Sequence, residues 1–124
     1  MQMTLLMVAA VIALAGAAFH GYVGGRLYMQ NIRESQLAPL MQSLSLVSWH
    51  MFTVFLLVSS ITFMVVALQP HLALMAVPLM WANAFGALLF LVLSLMGHVA
   101  LIKLPGLYLM GLTALLSGLG LAVT

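Results

Sequence analysis

Three histidines, His20, His50 and His98, stand in a chain that otherwise carries few groups able to do chemistry. Imidazole is the commonest side-chain metal ligand, and two imidazoles from different helices can hold a haem iron axially. Each of the three lies inside or at the edge of an apolar run, where an ionisable side chain is expensive and tends to mark a site. Arg26, Arg33 and Lys103 follow close by, where they would neutralise haem propionates or an anionic headgroup. Trp49, beside His50, joins Tyr22 and Tyr108 as polar-tipped aromatics at the same level. The spacing suits haem b and a tris-imidazole site for zinc, copper or iron equally well. It also suits histidines that only hydrogen-bond a carbonyl or hydroxyl, for which Thr53 and Ser94 stand at helical spacing from His50 and His98.

Other chemistries are excluded by what the chain lacks. It has no Cys and no Asp, and Glu34 is its one carboxylate. A Ser-His-Asp relay, a carboxylate pair and a thiolate site therefore cannot be assembled. No span carries the acidic residue expected of a small proton-coupled exporter. Three basic residues make no nucleic-acid surface. The eleven Met residues are spread over every segment and read as apolar filler.

The elements that must position the histidines follow from hydropathy. Of 124 residues 66% are hydrophobic and 3% charged, against about a quarter charged in soluble domains. A transmembrane helix needs about 20 apolar residues, so this length holds four spans and no soluble domain. The sequence thus predicts an all-α, integral membrane four-helix transmembrane bundle in one domain, with spans at about 4–24, 45–68, 79–101 and 107–123. Its surroundings are the lipid bilayer.

In the first span Ala10, Ala13, Gly16, Ala17, Gly21 and Gly24 recur at three- and four-residue steps, the pattern of close helix contact in lipid. His20 lies on or beside that stripe and should face protein. Gly111, Ala114 and Gly118 give the fourth span a similar face, while the second (His50, Thr53, Leu57, Ser60) and the third (Asn83, Ala87, Leu91, Ser94, His98) carry polar stripes. Residues 26–44 form the one polar connection, part of it amphipathic, with Pro39 breaking or starting a helix. Pro78 breaks the long third apolar run, and His71 falls in the turn at the opposite end.

Arg26, Arg33 and Lys103 belong to the first and third connections, which the positive-inside rule places in the cytoplasm with both termini outside. The N-terminal stretch has no basic n-region, so the first span reads as retained. His20, His50 and His98 then lie four, five and three residues inside their spans, within roughly 3 Å of one another in depth.

His20 followed by Gly24-Gly25-Arg26, the pair Trp49-His50 and the pair Gly97-His98 resemble motifs of a group of small bacterial inner-membrane proteins of about this size. The layout matches over the whole chain. Those proteins place a Ser and a Gly-Glu after the first histidine, where Gly21 and Gly24-Gly25-Arg26 stand here. The resemblance supports grouping the histidines, implies a bacterial inner membrane and supplies no activity. The leading expectation is a cytoplasmic-side site of His20, His50 and His98, with Arg26, Arg33, Lys103 and Trp49 about it, for a haem or metal ion in electron transfer or metal handling. The alternative is a non-catalytic accessory or assembly subunit of a larger membrane complex, or a homo-oligomer. A small transporter or lipid-handling enzyme is a third class.

Overall fold

The computed structural model describes residues 1–123. It is all-α, with four helices long and apolar enough to cross a membrane, as in a multi-pass membrane protein. These are α1 (Gln2–Glu34), α2 (Pro39–Leu68), α3 (Val77–Leu95) and α4 (Pro105–Ala122). Short 3-10 turns, Pro70–Met75 and Val99–Lys103, connect α2 to α3 and α3 to α4. No strand occurs among the described residues.

Three bounds, at two connections, differ from expectation in ways that matter. First, α1 does not stop at Gly24 but runs on to Glu34, and α2 begins at Pro39 rather than Ser45. The residues of this polar connection are good helix formers, and Pro39 sits in the first turn of α2, where its missing N–H costs nothing. At 1.5 Å per residue the two helices are ~50 and ~45 Å long, while α3 and α4 are ~28 and ~27 Å. The α1–α2 hairpin therefore overhangs its neighbours at the charged end. Second, α3 ends at Leu95 and not near Leu101. Gly97 follows with φ +112°, a left-handed conformation open to glycine, and turns the chain out of the helix.

α1 is the central helix, packed between α2 and α4, and α3 packs on the far side of α4. The small stripe explains this placement. Ala9, Ala10, Ala13, Gly16 and Ala17 are buried, so neighbouring backbones come close without meeting a long side chain. The core lies at the uncharged end, where Leu6, Ala9 and Ala10 meet Phe63, Val66 and Ala67 of α2 and Ala76 of the turn. Ser60 Oγ donates there to the Ala10 carbonyl (2.8 Å), and Asn83 Nδ2 donates to the Leu79 carbonyl (2.8 Å) and Ser59 Oγ (3.3 Å), while Asn83 Oδ1 is buried without a partner among the described residues. The Asn83–Ser59 bond joins α3 to α2 across the bundle.

The charged end is packed differently. Among the described residues nothing of α2 before Leu56 and nothing of α4 before Met110 is buried, and Gly25 is the one buried residue of α1 beyond Ala17. The bundle is closed at one end and splayed at the other. The closed end should carry the stability. Phe63→Ala, at 0% exposure, should cost about 3 kcal/mol in micelles, whereas Phe85→Ala, at 61%, should cost a few tenths; thermal unfolding of the two variants checks the contrast.

Candidate functional site

The splayed end holds a cleft of about 630 Å³ lined by all four helices. α1 contributes its wall from Ile12 to Asn31, α2 contributes Trp49, Phe52 and Leu56, α3 Leu89 and Phe90, and α4 the stretch down to Thr113. No charged residue lines it, and its polar side chains are His20, Tyr28, Asn31, Trp49 and Thr113. The α1 wall of the cleft, from Ile12 to Asn31, spans ~28 Å.

Its one elaborated wall is an aromatic stack. The Trp49 indole lies between His20, at 4.1 Å and 12° between planes, and Tyr28, at 4.3 Å and 13°. Phe52 meets His20 edge-on at 4.9 Å. Trp49 Nε1 donates to the His20 carbonyl (3.1 Å), and His20 Nδ1 and Thr53 Oγ1 share a hydrogen bond of 2.9 Å. Each contact joins α1 to α2, so the stack also sews the overhanging hairpin together.

Local backbone geometry makes the stack possible. Phe19–Gly24 forms a π-helical segment, in which Gly25 N–H reaches back to the His20 carbonyl. A π-bulge absorbs one extra residue into a helix. His20 and Tyr28 are eight residues apart, which in an unbroken α-helix turns them ~80° from each other. With one residue absorbed they behave as if seven apart and lie within ~20°. Both rings then face Trp49. The glycines supply the room: a Cβ at Gly21 would stand 3.0 Å from Thr53 Cγ2, and one at Gly24 2.9 Å from Trp49 Cζ2.

The structure treats the expected site residues unequally. His20 faces protein as the small stripe implied and lines the cleft. His50 directly follows Trp49, its Cε1 3.8 Å from where a Cβ at Gly25 would stand, but its side chain is exposed and outside the cleft wall. His98 is not brought to the other two. It lies three residues beyond the end of α3, exposed, because Gly97 has already turned the chain. Among the described residues no three His, Asp or Glu side chains form a group that could hold a metal ion. Thr53, expected to serve His50, serves His20, and Ser94, expected to serve His98, donates to the Phe90 carbonyl instead (2.7 Å).

The cationic residues also fall elsewhere. Arg26 and Arg33 are seven apart on one face of α1, and Arg26 stands ~160° round the helix from Tyr28 on the cleft side. Arg26 Nη1 donates to the Tyr22 hydroxyl at 3.3 Å and lies over that ring. Lys103 is exposed at the end of the second 3-10 turn. Of the four residues expected around a cofactor only Trp49 lines the cleft. Tyr28, Phe52 and Thr53 acquire roles that their spacing did not assign to them, since those roles depend on the bulge. No known protein family, curated protein or solved structure matches the chain.

Gly24 offers a test of the stack. Replacing a helical glycine with alanine gains about 1 kcal/mol of backbone propensity, while overpacking a ring held on both faces costs about 1–3 kcal/mol. Gly24→Ala should therefore destabilise by about 1 kcal/mol and alter Trp49 fluorescence. Gly111→Ala, whose new Cβ would meet only Ala87 Cβ at an ordinary 3.7 Å, should be neutral or stabilising by thermal unfolding in micelles.

Proposed function

We propose that this chain is a multi-pass protein of a bacterial inner membrane, with its charged end in the cytoplasm and both termini periplasmic, that holds an apolar, chain-like molecule in its cleft. It acts as a binding protein rather than an enzyme. The observation that carries this reading is the cleft: long, uncharged, lined by all four helices and walled on one side by an aromatic stack. Ligand sites of this kind are mostly apolar with a few convergent polar groups that fix orientation. The orientation rests on Arg26, Arg33 and Lys103 sharing one end.

Two other readings each keep one supporting observation. A haem or transition ion would rest on His20, whose bond to Thr53 orients the ring as outer-shell partners orient metal-ligating histidines. Without His98 or the arginines at the cleft, such a group would have a single imidazole. An accessory subunit of a larger complex would rest on the overhang, where Leu27 and Leu40 are each 64% exposed.

Solvent extraction and mass spectrometry, with an optical spectrum and metal analysis, on protein purified from its native membrane separate the three. The expected result is a stoichiometric apolar molecule that disappears in Leu56→Trp, a change that fills the cleft. A Soret band or bound metal lost in His20→Ala would transfer the case to the cofactor reading. Colourless, empty protein that travels with larger subunits would transfer it to the accessory reading.

A further inference from the structure

The hydroxyl of Thr53 is used differently from several other helix hydroxyls. Ser43, Ser94 and Ser117 each donate to the carbonyl four residues back in their own helix, at 3.1, 2.7 and 2.7 Å. The hydroxyl of Thr53 makes no such bond, and among the described residues its one partner is His20 Nδ1. When that hydroxyl donates, Nδ1 presents its lone pair to it. In a neutral imidazole the other nitrogen carries the hydrogen. With Thr53 as the donor, His20, which lines the cleft, carries its hydrogen on Nε2.

A donor selects an acceptor. A metal ion or haem iron needs a lone pair at that nitrogen, whereas a carbonyl oxygen needs the N–H. The rest of the wall narrows the headgroup further. No charged side chain lines the cleft, and the cation flanked by its lining residues Leu101 and Leu104, Lys103, is exposed, so the lining itself favours a neutral headgroup. Phe19, Phe52 and Phe90 line the cleft with the stacked rings, an environment for a flat ring. We propose that the cleft takes a quinone-type ligand, a neutral ring bearing carbonyl oxygens on a single hydrocarbon chain, with one carbonyl accepting from His20 Nε2–H. This rests on the cleft being a ligand site, and the experiment separates the two.

The test uses the full-length protein with Trp81→Phe, which leaves Trp49 as the only fluorophore of its kind because Trp81 is exposed and outside the cleft. Titration with a decyl-substituted benzoquinone should quench Trp49 saturably. His20→Phe, which keeps a ring against Trp49 and removes the donor, should weaken binding about three- to tenfold, the worth of one hydrogen bond. Decylbenzene, which has the same tail and no carbonyl, should compete less well by a similar factor and be insensitive to His20→Phe. Equal competition by decylbenzene, or a His20→Phe affinity equal to that of the parent, would overturn the headgroup assignment while leaving the cleft. Better competition by methyl decanoate or by an anionic phospholipid would overturn the quinone assignment. Absence of saturable binding by every probe would overturn the cleft reading itself. Nitrogen-15 spectra of histidine-labelled protein test the tautomer independently of any variant: protonated Nε2 on His20 is expected, and protonated Nδ1 sinks the inference.

Discussion

The structure depends on how closely α1 can approach α2. Ala10, Ala13, Gly16 and Ala17 let the helices touch along the buried half, where Ser60 reaches the Ala10 carbonyl. Beyond that point Gly21 and Gly24 continue the approach, but the gap is filled by Thr53 and the Trp49 indole. In lipid there is little hydrophobic force between helices, so contact area and interhelical hydrogen bonds hold them together. The His20 carbonyl accepts from both Gly25 N–H and Trp49 Nε1–H, which makes it the point where helix geometry and helix pairing meet.

That junction explains why one end of the bundle is closed and the other open. At the uncharged end Leu6 and Phe63 fill the space between small residues. At the charged end α1 and α2 are occupied with each other through the aromatic stack and extend past α3 and α4. α4 begins only at Pro105, after a turn that keeps Leu101 and Leu104 at the rim. The cleft is the volume left between a long helical pair and a short one. Its apolar lining follows from the same composition that places the chain in lipid, and its few polar groups gather at the stack.

The helical class, the four spans and the inward face of His20 were legible because they rest on local periodicity and on small residues that have no other use at such density. Pro39 was legible as a helix boundary for a similar reason, since a ring without an N–H belongs in a first turn. The third histidine was misplaced because an unbroken apolar run from Leu79 to Ile102 conceals the turn at Gly97. Hydropathy measures what a segment dissolves in and is silent on whether it is helical. Arg26 and Arg33 were grouped with the site by nearness in sequence, although on a helix two residues of separation is most of the way to the opposite face.

What the sequence determined by itself is the solvent and the secondary structure: 66% apolar residues, one carboxylate and stripes of alanine and glycine leave a helical membrane bundle as the available outcome. Which side chains meet was decided by tertiary structure alone. A π-bulge shifts every later residue of α1 by about one helical position, so whether Tyr28 faces Trp49, and whether Thr53 serves His20 or His50, cannot be counted off a regular helix. The bulge keeps its place because the second helix offers an indole N–H to the His20 carbonyl. That donor comes from 29 residues away in the chain, and only the folded hairpin brings it there.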